Sequence, residues 1–226
     1  MKESSSEAKG YDISQKNWND NSLFPKELLI DTNSIINAFT KRQNGMVIDR
    51  YLDELVRRGS VIFLYSKIEE EILDFFHVDE YISKAKNEGI YKDHKADWKK
   101  TENTIDRTEA QRLSLNALSR KEDAVLYVKS KNGIVLPIEE KDYKSLSLDI
   151  YKNYGGNRKD AEHIAVANEY GINNFITQDS NSGNGFFRYP NINIFGNTKH
   201  IIGAYQPNSS INTYKDFKDV LNVTED

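Results

Sequence analysis

The chain has 226 residues, of which 38% are hydrophobic and 29% are charged, and its formal net charge is -4. The negative charge argues against bulk electrostatic attraction to nucleic acid or to anionic membrane, although a local basic groove is compatible with it. The absence of cysteine excludes disulfides, thiolate metal sites and a cysteine nucleophile. No apolar run reaches membrane-spanning length. We therefore expect a cytoplasmic protein that does not associate with membranes.

The first predicted strand and helix lie in "LLIDTNSIINAF", residues 28 to 39. Its first three residues form an apolar run that is typical of a strand buried on both faces, and the later apolar residues recur at helical spacing. Asp31 is therefore predicted at the carboxyl end of a strand, the edge of an open α/β sheet where ligands bind. Taken alone, such an aspartate more often serves as a helix N-cap.

A second α/β unit follows. The segment "MVIDRYLDELVRR" has one apolar helical face and ends before Gly59, and "SVIFLYS" predicts a second buried strand. "SKIEEEILDFF" then predicts a helix with Ser66 as N-cap and Glu69 completing a capping box.

The middle of the chain, from about Val78 to Gly156, is highly charged and predicts several helices. No strand in it clearly belongs to the sheet, and "NGIVLPIEE" is at most a short extended piece interrupted by Pro137. Lysines and aromatic residues alternate here in a way that suits a nucleic-acid face, but interspersed acids make a solvated helix surface the more frequent explanation. The lysines are Lys84, Lys86, Lys92, Lys95, Lys99 and Lys100, and the aromatic residues are Tyr81, Tyr91 and Trp98.

The α/β pattern returns near the end of the chain. A helix is predicted from Asp160 to Gly171, followed by the strand "INNFITQD", which ends in Asp179, and by a last strand, "NINIFG". "TKHIIGAY" suggests a short terminal helix. Alternating buried strands and helices predict a mostly parallel sheet with helices on both sides.

Four separate elements bring acids to one edge of this predicted sheet. Asp31 and Asp179 end strands, Asp160 begins the helix before the Asp179 strand, and Glu70 and Glu71 lie in the first turns of the helix after the second strand. Cap and surface roles explain each acid singly but not their convergence. Because close carboxylates repel one another, a hard divalent cation with oxygen ligands, Mg²⁺ or Mn²⁺, is the expected cofactor.

The segments "LLIDTNSIINAF", "FLYSKIEEEIL", "DAEHIAVANEYGINNFITQD" and "INIFG" resemble, in the same order, the sequence blocks of the PIN-domain nuclease family. The resemblance covers residues 26 to 76 and 157 to about 203. It implies an α/β, PIN-like three-layer domain with a mostly parallel central sheet and a long, mainly helical insertion. The expected divisions are a polar N-terminal arm (1–22), the two parts of the PIN-like domain (23–77 and 157–206), the helical insertion (78–156) and a C-terminal tail (207–226).

The family's acidic positions fall on Asp31, one glutamate of residues 69 to 71, Asp160 and Asp179. Glu69 is assigned to the capping box, and Glu70 points nearly opposite the apolar face of its helix. Ile68, Glu71 and Ile72 match the family block, so Glu71 is favoured and Glu70 is the alternative. The predicted catalytic and metal-binding residues are thus Asp31, Glu71, Asp160 and Asp179.

Several polar residues near these acids are weaker candidates. Asn33 and Thr177 match polar family positions, and Asn181 is a candidate extra ligand in a loop that is longer than the family's usual one. His163 follows Asp160 by three residues and is more often a surface or supporting residue than a ligand of such a cation. The two residues before Asp160, Arg158 and Lys159, are placed to meet a phosphate.

The resemblance implies metal-dependent hydrolysis of phosphodiester bonds, most often in RNA. We therefore expect an endoribonuclease acting on single-stranded or structured RNA, and leave a homo-oligomer or an inhibitory protein partner open. The long middle segment weakens an assignment to the toxin of a toxin–antitoxin pair. Two alternatives remain: a catalytically inactive PIN-like module that binds RNA or a partner protein, and a nuclease acting on DNA. The presence of all four acids favours catalysis.

Overall fold

The computed structural model describes residues 8–14, 18–42, 45–89, 98–178, 186 and 189–198. Within them, six strands form one sheet, accompanied by seven α-helices. The strands are β1 (Lys9–Asp12), β2 (Glu27–Ile30), β3 (Val61–Tyr65), β4 (Gly133–Leu136), β5 (Asn174–Ile176) and β6 (Asn193–Gly196). The helices are α1 (Thr32–Thr40), α2 (Gly45–Arg57), α3 (Ser66–Asn87), α4 (Trp98–Thr104), α5 (Arg107–Ser130), α6 (Glu140–Tyr154) and α7 (Arg158–Glu169).

All paired strands are parallel, in the order β1-β6-β5-β2-β3-β4. From β2 the chain proceeds outward to β3 and β4, then returns to the other side of β2 to form β5 and β6. The direction of winding therefore reverses between β2 and β5, and such a switch point opens a crevice at the carboxyl ends of the strands. The Asp31 amide donates to the Ile176 carbonyl at 2.9 Å, which holds these two strand ends side by side.

The core forms where the sequence predicts buried strands. Leu28, Leu29 and Ile30 of β2 are fully buried, as are Phe175 and Ile176 of β5. Two groups of helices pack together, α1 with α2, α3 and α5, and α6 with α7. The predicted mixed α/β architecture with a parallel sheet is confirmed, and it is compatible with three layers.

Two strands depart from the sequence predictions. Residues 1–22 are predicted to be a polar arm, but Lys9–Asp12 form β1, which pairs with β6. No strand within 78–156 is clearly predicted to join the sheet, but β4, which lies in the short extended piece predicted at "NGIVLPIEE", pairs with β3 along its whole length. Both predictions are wrong for these residues, because each segment contributes one strand to the end of the sheet.

The start of α3 also differs from the prediction. Tyr65, not Ser66, is the N-cap, and its side chain makes no capping hydrogen bond. The capping box with Glu69 is therefore wrong: β3 runs directly into α3, and Ser66 is already helical. The helix continues to Asn87, so the expected boundary between residues 77 and 78 falls inside it.

Part of the sequence interpretation lies outside the described residues. This applies to residues 90–97, to the "TKHIIGAY" segment from residue 199 onward, and to the tail 207–226. Among the helices that the structure describes, none is long and apolar enough to cross a membrane.

Helix α5 packs against α3, the helix that carries Glu71, and Arg120 makes several contacts between them. The Arg120 guanidinium lies 2.7 Å from Glu80, 2.9 Å from Asp79 and 4.3 Å from the centre of the Phe76 ring. Its side chain is only 29% exposed, so these contacts are partly shielded from water. These contacts hold α5, which belongs to the middle segment, against α3.

Arg120→Ala should lower the free energy of unfolding by about 1–2 kcal/mol, because it removes two ion pairs, a cation–π contact and apolar packing. Urea denaturation measures the loss. Arg112→Ala is the matched control on the same helix, since Arg112 is 57% exposed and its ion pair is with Glu109, three residues away on α5. Equal losses in the two variants would show that Arg120 does not join α5 to α3.

Candidate active site

A pocket of about 380 Å³ opens at the carboxyl edge of the sheet, beside the switch point between β2 and β5. Three parts of the chain line it: the start of α1, the second and third turns of α3, and the start of α7. The lining residues are Asp31, Thr32, Asn33, Ile36, Glu71, Asp74, Phe75, Val78, Asn157, Lys159, Asp160 and His163.

Asp31 enters the pocket from the end of β2. Although it is the N-cap of α1 by position, its side chain makes no capping hydrogen bond. Its Oδ2 instead accepts a hydrogen bond from the Thr177 hydroxyl at 3.0 Å, and the residue is only 7% exposed. The capping explanation therefore does not account for this carboxylate.

Glu71 enters from α3. Its Oε2 accepts a hydrogen bond from the Thr32 hydroxyl at 2.6 Å, whereas its buried Oε1 has no hydrogen-bond partner among the described residues. The Lys159 ammonium lies 3.3 Å from that same Oε1. Glu70, the alternative candidate, is 62% exposed and pairs with Lys67, so Glu71 is the glutamate that lines the pocket.

Asp160 enters from the first turn of α7, where the helix dipole favours a negative charge. The preceding Asn157 is the N-cap and accepts a hydrogen bond from the Lys159 amide at 3.0 Å. Gly155 and Gly156 have φ of 70° and 88° and form the turn from α6 into α7. This turn needs glycine, because other residues rarely adopt positive φ. It brings Asp160, which is 8% exposed, to the pocket.

His163 lies beneath the acids, one turn further along α7, and is only 2% exposed. Its Nδ1 shares a hydrogen bond with the Tyr65 hydroxyl at 2.9 Å, and its ring stacks on Phe186 with centroids 6.0 Å apart. Its Nε2 lies 3.6 Å from Glu71 Oε2 and 3.8 Å from Asp31 Oδ1. His163 is therefore a buried part of the site rather than a surface residue.

The charges of these side chains support one another. Burial acts to raise the pKa of Glu71, but its interactions with His163, Thr32 and Lys159 outweigh burial and lower that pKa to about 2. Burial acts to lower the pKa of His163, but Glu71, Asp31 and Asp160 outweigh it, and the net pKa is raised. Each shift favours the charged form of its group.

These shifts predict a pH dependence of stability. Since the pKa of His163 is raised in the folded state, its stabilisation is complete below the unfolded value of about 6.5 and is lost as pH rises through the folded pKa. The pKa of Glu71 is lowered in the folded state, so the dependence on pH has the opposite sign. Its stabilisation is present above about pH 4.5 and is lost as pH falls towards 2.

The free energy of unfolding should therefore decline more steeply as pH rises above about 6.5 in the parent than in Glu71→Gln, which lacks the main cause of the raised His163 pKa. Urea denaturation in chelator at a series of pH values measures both slopes. Parallel slopes would contradict the pairing of these two groups.

The structure thus brings together three of the four predicted site residues: Asp31, Glu71 and Asp160. The fourth, Asp179, and the weaker candidate Asn181 lie outside the described residues. Asn33 lines the pocket as an exposed residue.

Sequence reasoning missed three polar members of the pocket, Asp74, Thr32 and Asn157. Asp74 is three residues after Glu71 and so shares its helix face, a spacing that could have indicated it. Thr32, which bonds Glu71, follows Asp31 directly but was indistinguishable from an ordinary residue at a helix start.

The oxygen donors and the unbonded Glu71 Oε1 suit a hard cation in chemical type. Across the described residues, however, no group of three or more histidine, aspartate or glutamate side chains is arranged so that it could hold a metal ion. Two basic side chains, Lys159 and His163, lie among the carboxylates instead.

No protein-family model matches the chain, and no curated protein is significantly similar to it. The resemblance to PIN-domain nucleases therefore stays a prediction, and arguments about function depend on the geometry of the pocket.

Proposed function

We propose that the protein is a nuclease dependent on Mg²⁺ or Mn²⁺, an endoribonuclease that hydrolyses phosphodiester bonds in RNA. The observation that carries the proposal is the convergence of Asp31, Glu71 and Asp160, from three separate elements, on one pocket at the switch point of a parallel sheet. The PIN-like sequence blocks lead to the same proposal independently.

The carboxylates suit a cation in charge and in donor type. Three buried acids repel one another, and Glu71 keeps one buried oxygen without a hydrogen bond among the described residues. Asp31, Glu71 and Asp160 would hold the cation, with Asp179, three residues after β5, as the proposed fourth ligand. When bound, such a cation supplies activation of water as the nucleophile and neutralisation of charge on the phosphate.

Two neighbouring hydroxyl groups orient these acids. Thr177 fixes Asp31 and Thr32 fixes Glu71, each through a hydroxyl that donates to a carboxylate oxygen. Hydrogen bonds of this kind restrict the directions in which carboxylates point, which metal sites require. Ile36, Phe75 and Val78 add apolar wall area on one side of the pocket.

The test is an incubation of purified protein with end-labelled single-stranded RNA and DNA, in Mn²⁺, in Mg²⁺ and in chelator. Internal cleavage of RNA that requires the cation is the expected result. Cleavage of DNA in preference to RNA would show that DNA is the substrate. Cleavage that persists in chelator would contradict a metal-dependent reaction.

A catalytically inactive module that binds RNA or a partner protein is the second candidate. It is favoured by Lys159 and by the protonated form of His163, which can neutralise the acids without a metal. Thermal melts separate the two candidates: millimolar Mn²⁺ should raise the parent's midpoint relative to chelator if the folded pocket binds the cation. An unchanged midpoint would favour the inactive module.

A further inference from the structure

Lys159 reaches from the rim of the pocket to a buried carboxylate oxygen that has no hydrogen bond among the described residues. Its side chain is 59% exposed, yet its Nζ lies 3.3 Å from Oε1 of Glu71, a residue that is only 9% exposed. That oxygen has no hydrogen bond among the described residues, so the ammonium is its nearest recorded counter-charge. The lysine chain is unbranched and flexible, which lets it leave this position at little cost.

An ammonium and a divalent cation would compete for Glu71 Oε1. Both are positive and both are drawn to the same buried carboxylate, so contact by one disfavours contact by the other. A carboxylate holds a hard divalent ion more tightly than a partly exposed ammonium, because the ion carries twice the charge and exposed lysine pairs contribute little.

We propose that Lys159 couples cation binding to RNA binding: the cation displaces its ammonium from Glu71, and the released ammonium then contacts an RNA phosphate. The inference rests on the proposed nuclease function and assigns a substrate-positioning residue to it. A phosphate is the fitting partner, because Lys159 lies at the pocket rim next to Asp160 and carries a charge that displacement leaves unpaired.

Arg158 provides a matched control. It is the neighbouring residue in the first turn of α7 and is equally exposed, at 58%. It pairs with Glu162 at 3.7 Å, and it is not among the residues that line the pocket, so we assign the phosphate contact expected for Arg158 and Lys159 to Lys159 alone. Substituting either residue by Met removes one positive charge and keeps an unbranched side chain, so only position relative to Glu71 differs.

The first measurement is Mn²⁺ binding by isothermal titration calorimetry to the parent, Lys159→Met and Arg158→Met, as full chains. Lys159→Met should bind Mn²⁺ with a Kd about two- to fivefold lower than the parent, since it lacks the competing charge, and Arg158→Met should match the parent. Equal Kd values in all three would overturn the inference and leave the proposed function standing. No binding to any of them would overturn both.

The second measurement is binding of fluorescent single-stranded RNA at increasing KCl, by anisotropy. Calcium replaces Mn²⁺ here as a hard cation with oxygen ligands, to limit turnover. With calcium, the slope of log K against log salt should be shallower by about 0.7 in Lys159→Met than in the parent, the loss of one phosphate contact. Lys159→Arg should restore the slope because it keeps the charge, and Arg158→Met should leave it unchanged.

In chelator the slopes of the parent and Lys159→Met should coincide, since the ammonium stays on Glu71. A slope that is shallower in Lys159→Met to the same extent in chelator and in calcium would show a fixed phosphate contact without coupling to the cation. An unaltered slope in both conditions would show no phosphate contact. Either result overturns the inference.

Discussion

Asp31→Asn should abolish cation-dependent cleavage of RNA, with a loss of at least about a hundredfold, while the protein stays folded. Substitution of groups that only support a metal ligand typically costs ten- to a hundredfold, so loss of a ligand should cost at least as much. The substitution keeps the size of the side chain and removes its charge. The carboxylate serves the pocket rather than the helix, because it makes no capping hydrogen bond to α1.

The expected change in the free energy of unfolding is small, below about 1 kcal/mol, because two effects oppose each other. Neutralising Asp31 relieves repulsion from Glu71, and it removes attraction to His163, whose Nε2 lies 3.8 Å away. Initial cleavage rates in Mn²⁺ and urea denaturation in chelator measure activity and stability separately.

Asp106→Asn is the control for this prediction. Asp106 is also an aspartate at a helix N-cap, but its side chain does cap, accepting a hydrogen bond from the Glu109 amide at 2.9 Å. Asparagine is an equally good N-cap, so this variant should keep both fold and cleavage. An Asp31→Asn protein that unfolds, or that cleaves at the parent rate, would remove Asp31 from the proposed site.

The sequence predicts the centre of the sheet well and its edges poorly, for a physical reason. Central parallel strands such as β2 are covered on both faces and show as continuous apolar runs. Edge strands have one neighbour and need less apolar surface. In β4, Ile134 to Leu136 also form an apolar run, but Ile134 is 50% exposed, and Pro137 directly after the run favours a segment outside the sheet.

The glycine that begins β4 is explained by packing that the sequence does not show. A Cβ added to Gly133 would lie 2.4 Å from the backbone carbonyl oxygen of Val128, in the last turns of α5. Only glycine lets the strand come so close to the helix. From the sequence alone, this glycine indicates a turn.

In the candidate site, too, some features can be predicted from the sequence and others cannot. Convergence of Asp31, Glu71 and Asp160 is predictable, because strand ends and the following helix starts share one sheet edge. Burial of His163 is not predictable, since it depends on Tyr65 and other partners distant in sequence. The ion pair of Lys159 with Glu71 is not predictable either, because it joins side chains from α7 and α3 that are distant in sequence.

Glu71→Gln should reduce cleavage by at least about a hundredfold, whereas Glu70→Gln should leave it within about twofold of the parent. The two residues are neighbours on α3 and the substitution is the same, so helix propensity cannot separate them. Glu71 is 9% exposed in the pocket, with Oε1 buried and unbonded among the described residues. Glu70 is 62% exposed and pairs with Lys67, a contact whose loss should cost little.

The same pair of variants also tests the metal without measuring activity. In millimolar Mn²⁺, Glu70→Gln should show the parent's rise in thermal midpoint, because its pocket is intact, and Glu71→Gln should show a much smaller rise. Circular dichroism in chelator establishes that both variants are folded before cleavage is compared. If both variants cleave and respond to Mn²⁺ as the parent does, Glu71 is not a ligand and its buried charge serves only to pair with His163 and Lys159. If Glu70→Gln is the more damaging, the reaction depends on the exposed face of α3, and the pocket is not its site.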